Sequence, residues 1–163
     1  MANILYLVIH HTAGSKDDTM EKERNLHLSQ GYKDIAYNGF IEWNGTFKKG
    51  RDWENPNIDQ NAANHGLNSK SLSISLAGNF ELYQPSEAQL KTLIQVLATW
   101  AKRYNVPVQK SFDESWFEFQ KDVIDKNTPG LWTHTTVRKD KSDMYPDKRL
   151  IDMLNRFAKK YNP

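Results

Sequence analysis

The chain has 163 residues, 38% hydrophobic and 26% charged, so one domain accounts for its length and a second does not fit. Its 22 basic and 20 acidic side chains leave a formal charge of +2, too little for a nucleic-acid polyelectrolyte. Cysteine is absent, which excludes disulfides, thiolate metal sites and a cysteine nucleophile, and leaves His, Asp and Glu for any metal.

Ile4 to Ile9 is an apolar run that predicts a buried strand; it has neither the basic flank nor the small-residue cleavage site of a secretory leader. No stretch approaches the roughly 18 apolar residues of a membrane span, so the expectation is a protein without a transmembrane segment, made without a signal peptide. Thr12 to Asp18 is small and polar, and Asp18 or Thr19 caps a helix that ends before Gly31. Tyr37 to Trp43 and Thr46 to Lys49 read as strands joined at Asn44-Gly45, a pair suited to a two-residue type I′ hairpin. Asn55 to Asn64 is a loop. Ser71 to Leu76 alternates, which places Leu72, Ile74 and Leu76 on one face of a strand and small serines, with room beside them, on the other.

Ser86 and Gln89 form a capping box, and Leu90, Leu93, Ile94, Leu97, Ala101 and Tyr104 recur at helical spacing up to a stop before Pro107. Ser111 to Lys126 mixes aromatic and acidic residues and reads as a helix closed by Asn127-Thr128-Pro129-Gly130. Leu131 to Val137 reads as a strand, and Asp147 caps a last helix carrying Leu150, Ile151, Leu154, Phe157 and Tyr161. This order predicts a single α/β domain with a central mixed sheet flanked by helices.

The chemistry gathers at His10 and His11, at the end of the first strand, at His134, and at Lys141-Ser142-Asp143. Two imidazoles and one carboxylate make a three-ligand zinc site with an open fourth position, where water falls to a pKa of about 7 and becomes a nucleophile. Successive strand side chains point to opposite faces, so His10 and His11 cannot both reach one ion.

Five stretches in order carry a resemblance to a known family: Leu7 to Ala13; Asp34 to Ile41 with Asn44-Gly45-Thr46 and Gly50-Arg51; Asn64 to Asn68; Ser71 to Gly78; and Thr133-His134 with Lys141 to Asp143. Together they resemble the zinc N-acetylmuramoyl-L-alanine amidases, which include phage endolysins and peptidoglycan recognition proteins. The resemblance implies that zinc is held by His10, His134 and Asp143, that Tyr37 and Lys141 are catalytic, and that peptidoglycan is the partner. It places Tyr37 and Lys141 where phage enzymes carry a tyrosine and a lysine, and Ser75 where other relatives carry a glutamate. Many phage relatives use Cys as the third ligand; here the anion must be a carboxylate.

Met144 and Tyr145 separate Asp143 from Pro146, whereas in the family the third ligand is usually followed closely by proline, so Asp140 competes for that role. Residues 111–129 look like an insertion, with Trp116, Phe117 and Phe119 expected in the core or as a wall to the substrate. His11, His65 and Trp132 are candidates for substrate contact, and His27 reads as structural or exposed. Residues 138–163 hold eight basic against four acidic side chains, a face suited to an anionic envelope surface or simply to solvent. The resemblance implies a monomeric phage or prophage endolysin, stored in the host cytoplasm until it is released to the wall. The alternatives are a binding or regulatory protein that keeps the fold without catalysis, and a cytoplasmic amidase that recycles muropeptides.

Overall fold

The structure, a computed structural model, describes residues 3–162, so the reading of Met1 and Ala2 lies outside it. A five-stranded sheet in the order β3-β2-β4-β1-β5 forms the centre: β1 (Tyr6–His11), β2 (Gly39–Ile41), β3 (Phe47–Lys49), β4 (Ser71–Leu76) and β5 (Gly130–Thr133). β1 runs parallel to both β4 and β5, β2 runs parallel to β4, and β3 closes the edge antiparallel to β2, which makes the sheet mixed as predicted. β1 lies inside the sheet between β4 and β5 and is buried from Tyr6 to His10, as its unbroken apolar run requires.

The helices are α1 (Met20–Ser29), α2 (Glu87–Tyr104), a short α3 (Lys121–Asp125), a single turn α4 (His134–Val137) and α5 (Lys148–Tyr161). Thr19 caps α1, the Ser86–Gln89 capping box opens α2, and Asp147 accepts from Arg149 and Leu150 at the start of α5, all as the sequence implies. α2 packs on β1, β2 and α5 and contributes Leu90, Leu93, Leu97 and Trp100 to the main core. A smaller cluster of Met20, Ile35, Phe40 and Ala77 packs with Tyr37 beneath α1.

Three local expectations are corrected. The β2–β3 hairpin is not a type I′ turn: Gly45 N–H donates to the Glu42 carbonyl, Glu42 N–H to Thr46, and only Gly45 takes a positive φ, of 89°. That is a three-residue loop, in which one left-handed residue suffices. The predicted strand over 131–137 ends at Thr133, because Thr133 and Thr136 form a capping box that starts α4 at His134. Residues 111–126 are not one helix but a 3₁₀ turn, Glu114–Phe117, followed by α3. Three of their aromatics serve the core: Phe112, Trp116 and Phe117 are buried, and Trp116 Nε1 donates to the Leu131 carbonyl on β5, whereas Phe119, expected in the core or as a wall to the substrate, is exposed away from the cleft lining.

The face of β4 that carries the serines is filled rather than open. Ser71, Ser73 and Ser75 are all buried, and Asn38, Asn61 and Asn64 pack against this row. Asn38 Oδ1 accepts from Ser73 N–H, and Asn61 Nδ2 donates to the Ser71 carbonyl. A buried polar row of this kind holds only when its members pair with one another.

Gly45 tests the hairpin. A Cβ there would meet the Ala88 carbonyl oxygen on α2 at 2.9 Å while the backbone sits in the left-handed region. Gly45→Val is expected to lower stability by about 1 to 3 kcal/mol in urea unfolding; an unchanged midpoint would contradict this account of the turn.

Candidate active site

Three separate pieces of chain bring His10, His134 and Asp143 together. His10 is the fifth residue of β1, in register with Ser75 of β4, and is 2% exposed. His134 is the first residue of α4. Trp116 of the 111–129 segment holds that turn from behind, its carbonyl accepting from the hydroxyls of both Thr133 and Thr136. Asp143 lies on the loop before α5, and its carbonyl accepts from the N–H and the hydroxyl of Thr135. The start of α4 therefore places a histidine and anchors the acid together.

The two Asp143 oxygens face one histidine each: Oδ2 is 3.3 Å from His10 Nδ1, and Oδ1 is 3.1 Å from His134 Nδ1. The imidazole rings are 4.3 Å apart between centroids. Among the described residues, this is the one group of three or more His, Asp or Glu side chains whose ligand atoms converge, all within 4.8 Å. Asp140 is not part of it: it is exposed and pairs with Arg138 at 2.7 Å.

Electrostatics suit metal binding. Burial, with His134 beside it, pushes the His10 imidazole down to about 4, so it is a neutral ligand at neutral pH. Burial pulls the Asp143 carboxyl up, but the hydrogen bonds from His10 and His134 outweigh it and hold the group well below the usual carboxylate range. Two imidazole nitrogens and one anionic oxygen, facing a cleft, fit a zinc ion that keeps a position open for water.

A cleft of about 470 Å³ opens over the cluster and is lined by His10, His134 and Asp143 together with Tyr37, Lys141 and Arg138. Tyr37 sits between two imidazoles, 5.4 Å from His10 and 5.6 Å from His27 between ring centroids. Gly50 lets the chain approach its carbonyl, since a Cβ there would fall 2.2 Å from that oxygen. Arg51, buried, braces the same segment with hydrogen bonds to the carbonyls of Ile35 and Gln60. Burial and the nearby Glu23 carboxylate push the Tyr37 phenol up, so it is an O–H donor at neutral pH. Lys141 is exposed at the cleft and makes no ion pair among the described residues.

The other sequence candidates divide. His65, exposed, and His11, half-buried, both line the cleft, and His11 Nδ1 accepts from Phe80 N–H at 3.0 Å. Trp132 does not: it is buried, donates from Nε1 to the Thr128 carbonyl, and borders a separate hollow beside Phe112 and Trp116. The sequence treats His27 as structural or exposed, yet it is buried and lines the cleft; its Nδ1 accepts from Ala36 N–H, and its Nε2 lies 3.3 Å from the Glu23 carboxylate. Met20, Glu23 and His27, spaced by three and four, are the buried face of α1, and that spacing was the available signal.

A profile of the N-acetylmuramoyl-L-alanine amidase family matches residues 1–146. The chain belongs to this family. Its sequence is 36% identical over 99 residues to peptidoglycan-recognition protein SC2 of Drosophila melanogaster, covering 55% of this chain and 52% of that protein. Against mouse peptidoglycan recognition protein 1 it is 32% identical over 108 residues, with 61% and 58% covered. The chain thus spans little more than half the length of these relatives. In fold it is similar to the amidase LysC from Clostridium intestinale, with a TM-score of 0.69 at 22% identity over 94% of this chain and 86% of that one. It is similar also to Drosophila PGRP-SD, with a TM-score of 0.65 at 23% identity over 96% and 82%.

Two outcomes test the site. Asp143→Ala is expected to abolish zinc binding in equilibrium dialysis while Asp140→Ala retains it; the reverse pattern would move the ligand. Because the His10 pKa is lowered on folding, the unfolded chain binds its proton first, and His10 lowers stability as pH falls from its ordinary value near 6.5 toward 4. Urea midpoints of metal-free protein should drop between pH 7 and 5, and His10→Gln should reduce that drop; an equal drop in the variant contradicts it.

Proposed function

We propose that this protein is a zinc-dependent N-acetylmuramoyl-L-alanine amidase that cuts the amide between the lactyl group of N-acetylmuramic acid and the L-alanine of the stem peptide. The observation that carries the reading is the convergence of His10, His134 and Asp143 at the floor of the cleft that also holds Tyr37 and Lys141. Zinc bound by those three residues would supply a Lewis acid for the scissile carbonyl and bring water to a pKa of about 7. Lys141, a cation exposed at the cleft, would offset the negative charge that develops on the carbonyl oxygen. The Tyr37 hydroxyl, protonated at neutral pH, donates a hydrogen bond that orients the attacking water and assists proton delivery to the departing alanine nitrogen. The C–N bond breaks, water supplies the hydroxyl of the new acid, and the nitrogen leaves as an amine.

The pairing of Tyr37 with Lys141, and Ser75 in place of a strand glutamate, supports a phage or prophage endolysin over a recycling enzyme. Release from the host cytoplasm to the wall belongs to that proposal. The basic C-terminal face supports an envelope contact less well, because Arg138, Lys148 and Arg149 are paired with Asp140, Asp152 and Asp147. A second reading, peptidoglycan binding without cleavage, is favoured by the sequence matches to recognition proteins.

Digestion of purified peptidoglycan followed by mass spectrometry separates the two. New L-alanine amino termini without new reducing ends are expected; intact peptidoglycan would favour the binding reading, and new reducing ends would contradict amidase chemistry. Lys141→Ala should keep its zinc and lose on the order of 100-fold to 1,000-fold in turnover; unchanged turnover would remove Lys141 from the mechanism.

A further inference from the structure

Three of the buried side-chain atoms without a hydrogen-bond partner among the described residues are His10 Nε2, Asn64 Oδ1 and Ser75 Oγ. Asn64 is 1% exposed, and its amide orientation is fixed by the serine row of β4. Its Nδ2 donates to Ser71 Oγ at 2.9 Å and to Ser73 Oγ at 2.5 Å. Both hydroxyls place their own protons elsewhere, Ser71 on the Leu67 carbonyl and Ser73 on Asn61 Oδ1, so toward Asn64 they can only accept. The reversed amide would set its oxygen against two acceptors. Asn64 Oδ1 must therefore point away from the serines.

On that side lies His10. Its Nδ1 faces Asp143; Ser75, its register partner, shares a face of β4 with the Ser73 that holds Asn64, which sets the unpartnered His10 Nε2 and Asn64 Oδ1 on the same side of the sheet. A neutral imidazole carries one proton. To offer Nδ1 to a metal it must carry that proton on Nε2, where burial excludes water as the acceptor.

We propose that Asn64 is a positioning residue for the metal site: its Oδ1 accepts the His10 Nε2 proton and so stabilises the tautomer in which Nδ1 is free to bind zinc. The inference rests on the reading of His10, His134 and Asp143 as a zinc site and assigns a purpose to the alternating serines. Ser71 and Ser73 hold the asparagine, and the asparagine holds the histidine. Outer partners of this kind set ring orientation and ligand basicity, and their loss costs about 10-fold to 100-fold in metal affinity. Ser75 Oγ, in register with His10, is the competing acceptor.

The test measures zinc affinity by chelator competition in the folded 163-residue chain for wild type, Asn64→Leu, Asn64→Asp and Ser75→Ala, together with the ¹H shift of His10 Nε2–H in zinc-loaded wild type and Ser75→Ala. Asn64→Leu should weaken zinc by about 10-fold to 100-fold. Asn64→Asp, which keeps an acceptor for His10 but cannot donate to the serines, should bind zinc at least as tightly as wild type. If Asn64 served only to tie down the serines, Asp would do as badly as Leu, which would overturn the proposal. Loss of affinity in Ser75→Ala, with none in Asn64→Leu, would overturn it in favour of Ser75. Where Asn64→Leu fails to fold, the shift decides: a hydrogen-bonded downfield position kept in Ser75→Ala supports the proposal, and a free imidazole position in wild type, or one that appears in Ser75→Ala, overturns it. A wild type that binds no zinc would instead defeat the underlying metal reading.

Discussion

Asp143 is the point at which the sheet, the α4 turn and the loop before α5 meet, and its carboxylate presents one oxygen to each of two buried imidazoles. His10 is remote in sequence from the other two: it lies on β1 and His134 just after β5, strands that the parallel sheet makes neighbours. The Thr133–Thr136 capping box ends β5 where it does, which turns His134 in beside His10 instead of letting the strand carry it past. Thr135 then ties the Asp143 backbone to the same turn. A carboxylate left among apolar groups would be costly to bury; set between two nitrogens, it is held in its charged form.

Around that point the fold is arranged to hold side chains still. The segment at 111–129 places Trp116 behind α4, so it braces His134 and does not wall the cleft. Gly50 and Arg51 clamp the chain that carries Tyr37, and His27 of α1, paired with Glu23, lies 5.6 Å from its ring between centroids. Beneath β4 a polar network of Asn38, Asn61, Asn64, Ser71 and Ser73 satisfies itself almost completely. The unmatched atoms at its edge, on Asn64 and Ser75, lie where His10 begins. A polar layer this well paired specifies geometry more than it adds stability.

Much of this was legible in the residues. The apolar run of β1, the capping box of α2 and the Asp147 cap of α5 are local signals, and each gave an element where expected. The convergence of His10, His134 and Asp143 was legible only through the resemblance, because no spacing rule joins position 10 to positions 134 and 143. What was misread followed from tertiary context. Trp132, a candidate for substrate contact, lies on a strand that runs beside β1 and is buried there. The serines of β4 suggested open space because small side chains do not announce the asparagines that fill it. His27, read as structural or exposed, is buried and paired; its place at the cleft was not legible because α1 buries Glu23 and His27 rather than an apolar stripe.

The central claim is that one metal position exists in this protein and that three particular side chains define it. Anomalous diffraction from a crystal of the zinc-loaded protein, collected at the zinc absorption edge, tests it most directly. The account predicts a single strong peak bounded by His10 Nδ1, His134 Nδ1 and an Asp143 oxygen. A peak elsewhere, or none between these three residues, would contradict it.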